Sequence, residues 1–301
     1  MRVVITGATS MIGVALINEC VKNGDRVLAI VREGTRRLKR LPESYLIQIE
    51  FADLDNLDNV KGDGKPYDVF YHFAWGHTSK VERDLPLAQE DNIRTTLEAV
   101  ELANKLGCKK FVGAGSQAEY GNYSCEITED TVPNPTTSYG ISKLSANLLS
   151  RRMCEQLDIK HIWARIFSVY GCNDNEGTML DYAINQFIKG ETASFSAATQ
   201  TWNYLFESDA GRMFYLLGIK EVESGIYHVA GNESKPLRKY IEQVASKFKD
   251  AMCEFAVSGD KPVYGIEPNT DKSYKALEFE PEITFDEGIR RVIESTKKAR
   301  G

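Results

Sequence analysis

At 301 residues, 42% of them hydrophobic and 27% charged, the chain has the length for one large α/β domain with a smaller annex, or for two modest domains. Its net charge of −6 does not attract polyanions, so nucleic acid is not expected as a partner. No run approaches the roughly 20 apolar residues of a membrane span, and none is expected to enter a membrane. Met1 leads directly into Val3-Val4-Ile5 with no basic leader, which reads as a chain without a signal peptide and places it in the cytoplasm. Cys20, Cys108, Cys125, Cys154, Cys172 and Cys253 show no metal-ligand or redox spacing, and His72, His77, His161 and His228 are scattered. No metal site is expected.

In chain order, β-rich runs at 2–6, 26–31, 46–51, 69–73, 110–114 and 161–165 alternate with helical patterns at 11–23, 87–106 and 138–157. The strands are continuous apolar runs rather than in–out alternations, the mark of a parallel sheet covered on both faces. After Gly171 the pattern loosens: a polar stretch at 174–176, helical patterns at 179–189, 237–248 and 285–297, and a short β run at 226–230. The expected architecture is α/β: a doubly wound parallel sheet in residues 1–171 and a smaller mixed α+β lobe in 172–301, with 200–220 returning to the first.

The first β run ends in Thr6-Gly7-Ala8-Thr9-Ser10-Met11-Ile12-Gly13. A strand, a small-residue turn and a helix start is the context in which a glycine fingerprint has physical meaning. Gly7 permits the tight turn, Gly13 lets the helix approach the sheet, and the helix N-terminus offers N–H groups to a pyrophosphate. Ser10 stands where a middle glycine is usual; its hydroxyl can bond a phosphate, although the backbone approaches less closely there. At the end of the second β run, an acidic residue would accept from ribose hydroxyls. Arg32 cannot accept, but pairs readily with a 2′-phosphate, assisted by Arg36 or Arg37. That reading prefers NADP(H) and leaves NAD(H) as the alternative; a plain stacking of Arg32 on the adenine is the other option.

Tyr139 and Lys143 stand four apart in a helical pattern and share a face. An ammonium near a phenol favours the phenolate and makes the tyrosine a usable proton donor and acceptor. A β run also ends at Gly113-Ala114-Gly115-Ser116-Gln117-Ala118-Glu119, where Ser116 can hydrogen-bond a reacting oxygen. In this order and spacing the chain resembles the extended short-chain dehydrogenase/reductases, the group of nucleotide-sugar epimerases, dehydratases and reductases. The resemblance implies a Rossmann-type fold and a catalytic trio of Ser116, Tyr139 and Lys143. It also implies cofactor contacts from Gly7, Thr9, Ser10, Met11, Ile12, Gly13, Arg32, Asp53, Leu54, Phe73, Ala74, Asn92, Lys143 and Phe167. Trp75, Gln117, Glu119 and Ser168 are expected to border the substrate, with a structural anchor as the second reading of Glu119. Relatives pair through the two long helices, so the resemblance also implies a homodimer.

Departures from the family pattern narrow the reaction. Sugar 4,6-dehydratases carry Asp-Glu after the catalytic hydroxyl residue; here Gln117-Ala118 follow Ser116, and neither serves as acid or base. The epimerases of the GDP-fucose-synthase type carry a cysteine two residues after their serine; here it is Ala118, and no histidine stands in the stretch directly after Gly171. Trp202 and Asn203 replace an Arg-Asp pair whose arginine clamps the substrate diphosphate, so Trp202 either stacks on a base or packs in the core. The main expectation is NADPH reduction of a nucleotide-linked 4-keto(-6-deoxy) sugar, with Tyr139 as proton donor. The alternatives are a nucleotide-sugar 4-epimerase with tightly held NAD, a reductase of other carbonyls, and a non-catalytic NADP-binding regulator.

Overall fold

The computed structural model describes residues 1–79, 81–257 and 264–300. Its larger layer is a seven-stranded parallel sheet. Strands β1 (Arg2–Thr6), β2 (Arg26–Val31), β3 (Ile47–Phe51), β4 (Val69–His72), β5 (Lys110–Ser116) and β6 (Lys160–Ile166) are joined by helices α1 (Met11–Lys22), α2 (Pro86–Lys105) and α3 (Ser138–Gln156). Beyond β6 come β7 (Ser168–Tyr170), α4 (Met179–Lys189), β8 (Ala193–Phe195), β9 (Thr201–Phe206), α5 (Glu207–Ile219) and β10 (Gly225–Val229). The spatial order β10-β6-β5-β4-β1-β2-β3 reverses the winding between β1 and β4. Ligands of open α/β sheets bind at that reversal, outside the carboxyl ends of the strands.

Alternate residues along the buried strands feed opposite faces. Val3 and Ile5 pack with Leu16 and Ile17 of α1 and with Phe214 and Leu217 of α5. Val4, Leu28, Phe70 and Phe111 pack with Ala99, Val100 and Ala103 of α2 and Cys154 of α3. The helices α1 and α5 touch closely at Gly211, where a Cβ would stand 2.6 Å from the Ala15 carbonyl carbon. Because β10 then pairs in parallel with β6, residues 207–229 lie with this layer between two visits to the smaller lobe.

The smaller lobe completes the chain with β11 (Ser234–Pro236), α6 (Leu237–Ala245), β12 (Cys253–Phe255), α7 (Asp271–Leu277) and α8 (Phe285–Arg300). Its three-stranded sheet, β11-β9-β7, is mixed: β11 runs antiparallel to β9, and β7 parallel to it. An aromatic cluster of Tyr170, Tyr204, Tyr240 and Phe285 fills its centre. The doubly wound sheet and the mixed lobe expected from the sequence are both present. Among the described residues no helix is long and apolar enough to cross a membrane.

Candidate active site

A cleft of about 1250 Å³ runs along the carboxyl edge of the sheet, from Arg32 and Asp53 past the Gly7 turn to Ser116, Tyr139 and Lys143. The turn after β1 is held by sterics. Gly7 has φ +66°, and a Cβ there would lie 2.7 Å from the Ala74 nitrogen; one on Gly13 would lie 2.4 Å from the Gly7 carbonyl oxygen. No side chain fits at either point, so the start of α1 sits directly against the strand ends. Ser10 caps α1: its Oγ accepts from the Gly13 N–H at 3.1 Å, which leaves its O–H free to donate into the cleft. Thr9, Ser10, Met11 and Ile12 line the cleft there.

At the other end β5 stops at Ser116. Gly113 and Gly115 precede it because Trp163 on the neighbouring β6 occupies their side-chain space; a Cβ on either would come within 2.4 Å of the indole. Glu119 then organises the turn. Its carboxylate accepts from Ser116 N at 2.8 Å, Trp163 Nε1 at 2.9 Å and Arg165 Nε at 2.8 Å. Both members of the Glu119–Arg165 pair are buried, with side chains 0% and 1% exposed. Ser116 Oγ accepts from Ala118 N at 3.2 Å, so its own proton points elsewhere. Glu119 is thus a structural anchor and not a substrate contact, which corrects the expectation: a carboxylate already bonded on every side has nothing to offer a ligand.

Helix α3 begins at the same place, capped by Thr137 Oγ1 accepting from Gly140 N at 3.1 Å, and presents Tyr139 and Lys143 to the cleft. Lys143 Nζ donates to Ala114 O at 2.8 Å and lies 3.4 Å from the centre of the Trp75 ring. Burial pushes its pKa down to about 7. Burial likewise holds the Tyr139 phenol above its ordinary range, opposed first by the charge of Arg83 and then by a hydrogen bond with Ser116. Beneath them His72 is buried between Thr6 Oγ1, at 2.8 Å, and Thr96 Oγ1, at 3.4 Å. Burial and the nearby Lys143 push the His72 imidazole down to about 3, so it is a neutral part of the floor.

The structure brings most of the sequence-derived residues together. Gly7, Thr9, Ser10, Met11, Ile12, Arg32, Asp53, Leu54, Phe73, Ala74, Phe167, Trp75, Gln117, Ser116, Tyr139 and Lys143 all line the cleft. Gln117 lines the cleft, and its Oε1 is buried without a hydrogen-bond partner among the described residues. Four residues fall outside the lining: Gly13, Asn92, Glu119 and Ser168. Gly13 acts through close packing alone. Asn92 is corrected from a cofactor contact to a loop clamp: its Oδ1 accepts from Gly76 N and its Nδ2 donates to Gly76 O at 3.3 Å. Through Gln89, which accepts from Trp75 Nε1 at 3.0 Å, the same clamp fixes Trp75. Ser168 is half-buried at the start of β7, in the three-stranded sheet of the smaller lobe. Asn203 donates to Gly231 O at 2.9 Å and accepts from Gly231 N at 2.7 Å, holding a loop; Trp202 packs with Leu237, Ile241 and Tyr204. Arg83 was missed: it lines the cleft against Tyr139 from a short turn before α2, and no sequence pattern marks it.

With this geometry the comparisons with known proteins agree. Residues 3–230 match the NAD dependent epimerase/dehydratase family. The chain belongs to that family. It is therefore an enzyme built to use a nicotinamide dinucleotide. UDP-glucuronate 4-epimerase of Thermodesulfobacterium geofontis is 25% identical, over 98% of this chain and 95% of that one. dTDP-4-dehydro-6-deoxyglucose reductase of Escherichia coli is 24% identical, over 98% and 97%. The solved UDP-glucuronic acid 4-epimerase of Bacillus cereus, in complex with UDP-glucuronic acid and NAD, superposes with a TM-score of 0.84 at 21% identity, covering 99% of this chain and 100% of that one.

These family structures overturn the expectation of NADP(H). The Bacillus cereus enzyme holds NAD, as does a further family structure solved with UDP-glucuronic acid or UDP-glucose. Part of the arginine run is engaged elsewhere: Arg37 donates to Asn175 Oδ1 at 3.0 Å and Arg40 to Asn173 O at 3.1 Å, tying down the 173–175 loop, while Arg32, Arg36 and Arg37 line the cleft. Arg32 itself is exposed.

Proposed function

We propose that the chain is a nucleotide-sugar 4-epimerase that works with NAD(H). The observation that carries the reading is the convergence of Ser116, Tyr139 and Lys143 at one end of a cleft whose middle is the Gly7–Gly13 turn. Both 4-epimerases among the relatives described above favour epimerisation over net reduction, and NAD in the solved one favours a cofactor that stays bound. The loss of Asp-Glu after Ser116 argues against dehydration in the same way as before.

The residues present fit the dinucleotide. The start of α1 offers its N–H groups and the Ser10 hydroxyl to a pyrophosphate. Asp53, whose side chain makes no capping bond, and Arg32 border the adenosine end. Phe73, Ala74 and Phe167 line the cleft where they would border the nicotinamide, and Lys143 would hold the ribose next to it. Bound NAD supplies the hydride acceptor for the C4 hydrogen and the donor that returns it. Tyr139 takes the C4 hydroxyl proton as the carbonyl forms and gives it back after the sugar has turned. Ser116 donates its O–H to the same oxygen, which fixes the carbonyl and stabilises the charge that develops there. Trp75 and Gln117 line the sugar pocket; the Trp75 and Tyr139 ring centres are 6.0 Å apart.

The assembly we propose is a homodimer through α2 and α3, with Leu87, Ile141, Leu148 and Leu149, all exposed in the single chain, at its centre. Light scattering at micromolar concentration should return twice the chain mass. The activity test incubates the NAD-loaded protein with UDP-glucuronate, UDP-glucose and UDP-N-acetylglucosamine without added reductant, followed by nuclear magnetic resonance of the sugar. The C4 epimer should accumulate to equilibrium with no net change in NADH. Stoichiometric NADH consumption on a 4-keto sugar nucleotide, with no epimer formed, would make the protein a reductase instead.

A further inference from the structure

The family trio provides one cation for the tyrosine, Lys143. In this structure its Nζ is bonded to Ala114 O and stands 5.9 Å from the centre of the Tyr139 ring. A second cation is closer. The guanidinium carbon of Arg83 lies 4.1 Å from that centre, within the range of a favourable cation–π contact. Its turn, Glu82–Asp84, is fastened to the start of the helix that carries Tyr139. Ser138 N donates to Asp84 Oδ1 at 2.9 Å and Ser138 Oγ to Asp84 O at 3.2 Å. Gln89 Nε2 donates to Glu82 O at 3.2 Å from the other side. The backbones of Arg83 and Tyr139 are thus parts of one frame. Among the described residues Arg83 pairs with no carboxylate.

We infer that Arg83 is a positioning residue of the active centre, whose permanent charge against the Tyr139 ring stabilises the phenolate form that accepts the substrate proton. The inference rests on the epimerase reading only in taking Tyr139 as the proton acceptor. The charged groups around Tyr139 support it one by one. Glu119, from the turn after β5, opposes the phenolate but is bonded to Arg165. Asp84 is engaged with Ser138, and Glu82 with Ser79 and His77. Lys143, from the same helix, is held by burial to a pKa of about 7, so it loses its charge where a base is most useful. A guanidinium does not lose its charge there. Arg83 is the largest influence drawing the phenol down against its burial.

The test reads the phenol directly. The tyrosinate absorbance of the NAD-loaded full chain is titrated against pH, and the curve of Tyr139→Phe is subtracted to isolate Tyr139. In Arg83→Gln the titration should move up by about one unit, a tenfold loss of phenolate at a given pH, since a cation within a few ångströms has effects of this order. Arg83→Lys should restore at least half of that shift. A Tyr139 titration unchanged to within about 0.2 unit in Arg83→Gln overturns the inference. So does an equal shift in Arg83→Lys, because that would be lost packing and not lost charge. No substrate is used, so a protein that shows the shift yet epimerises nothing refutes the activity and leaves the role of Arg83 intact.

Discussion

At one end of the cleft Ser116 stands on a turn whose neighbours are buried and mutually bonded: Glu119, Trp163 and Arg165 are nearly inaccessible to solvent. At the other, Arg32 and Asp53 reach the cleft from exposed positions, and the arginines beyond them are tied to a loop of the smaller lobe. The contrast is one of constraint. A catalytic oxygen must be held to a fraction of an ångström, so its supports are packed in advance. A nucleotide end that only borders an adenosine tolerates solvated side chains. A charged residue at the rigid end therefore says much about chemistry, whereas one at the loose end says little about cofactor choice. The misreading of Arg32 is an instance.

The largest expected effect lies at the rigid end. Tyr139→Phe should lower epimerisation by roughly 10²–10⁴-fold with NAD affinity almost unchanged, measured by turnover and by titration calorimetry. Retained turnover under chemistry-limited conditions would break the assignment. Next comes Glu119→Ala, which strands the buried Arg165 and releases Ser116 N. Removing one partner of a buried pair costs about 3–5 kcal/mol, so the urea midpoint should fall steeply and turnover with it. A midpoint like the parent's would mean that the rigid end is not rigid for the reason given.

Lys143 sharpens the comparison through pH. The folded chain, without cofactor, binds its proton only up to about 7, while an unfolded lysine keeps it to about 10.5. The unfolded state thus holds more protons in that window, and this group's contribution to stability rises with pH between those limits and is unfavourable below them. Lys143→Met should therefore flatten the rise of the urea midpoint of the cofactor-free chain between about pH 7 and about pH 10; an unchanged slope would mean that the buried ammonium is not its source. The smallest effect belongs to the loose end: Arg32→Ala should leave the NAD dissociation constant within about threefold, as exposed charges contribute little. A larger loss would show that the adenosine end is more constrained than its exposure indicates.

The glycines illustrate how far the chain could be read in advance. Gly7 and Gly13 were legible because a strand-to-helix turn has few solutions, and both prove to sit where a Cβ would collide. Gly113 and Gly115 were legible only as a small polar turn; their cause is the indole of Trp163, 50 residues or so further along the chain, which no local pattern reveals. Asn92 was drawn to the site by family position, although its amide is spent on Gly76. Arg83 carried no signal at all, since its place against Tyr139 depends on a turn docking onto a helix that starts over 50 residues later.

The sequence by itself determined the parallel layer, the glycine turn between β1 and α1, and the shared helix face of Tyr139 and Lys143. Each of these follows from residues close together in the chain: continuous apolar runs, a glycine turn between strand and helix, two polar side chains one helical turn apart. Only the tertiary structure decided which charges are free and which are spent. Glu119 is neutralised by Arg165, Arg37 and Arg40 are held by the 173–175 loop, and Arg83 stands against the phenol with no carboxylate partner among the described residues. The availability of a charge depends on burial and on partners distant in sequence, and those distances close only when the chain folds.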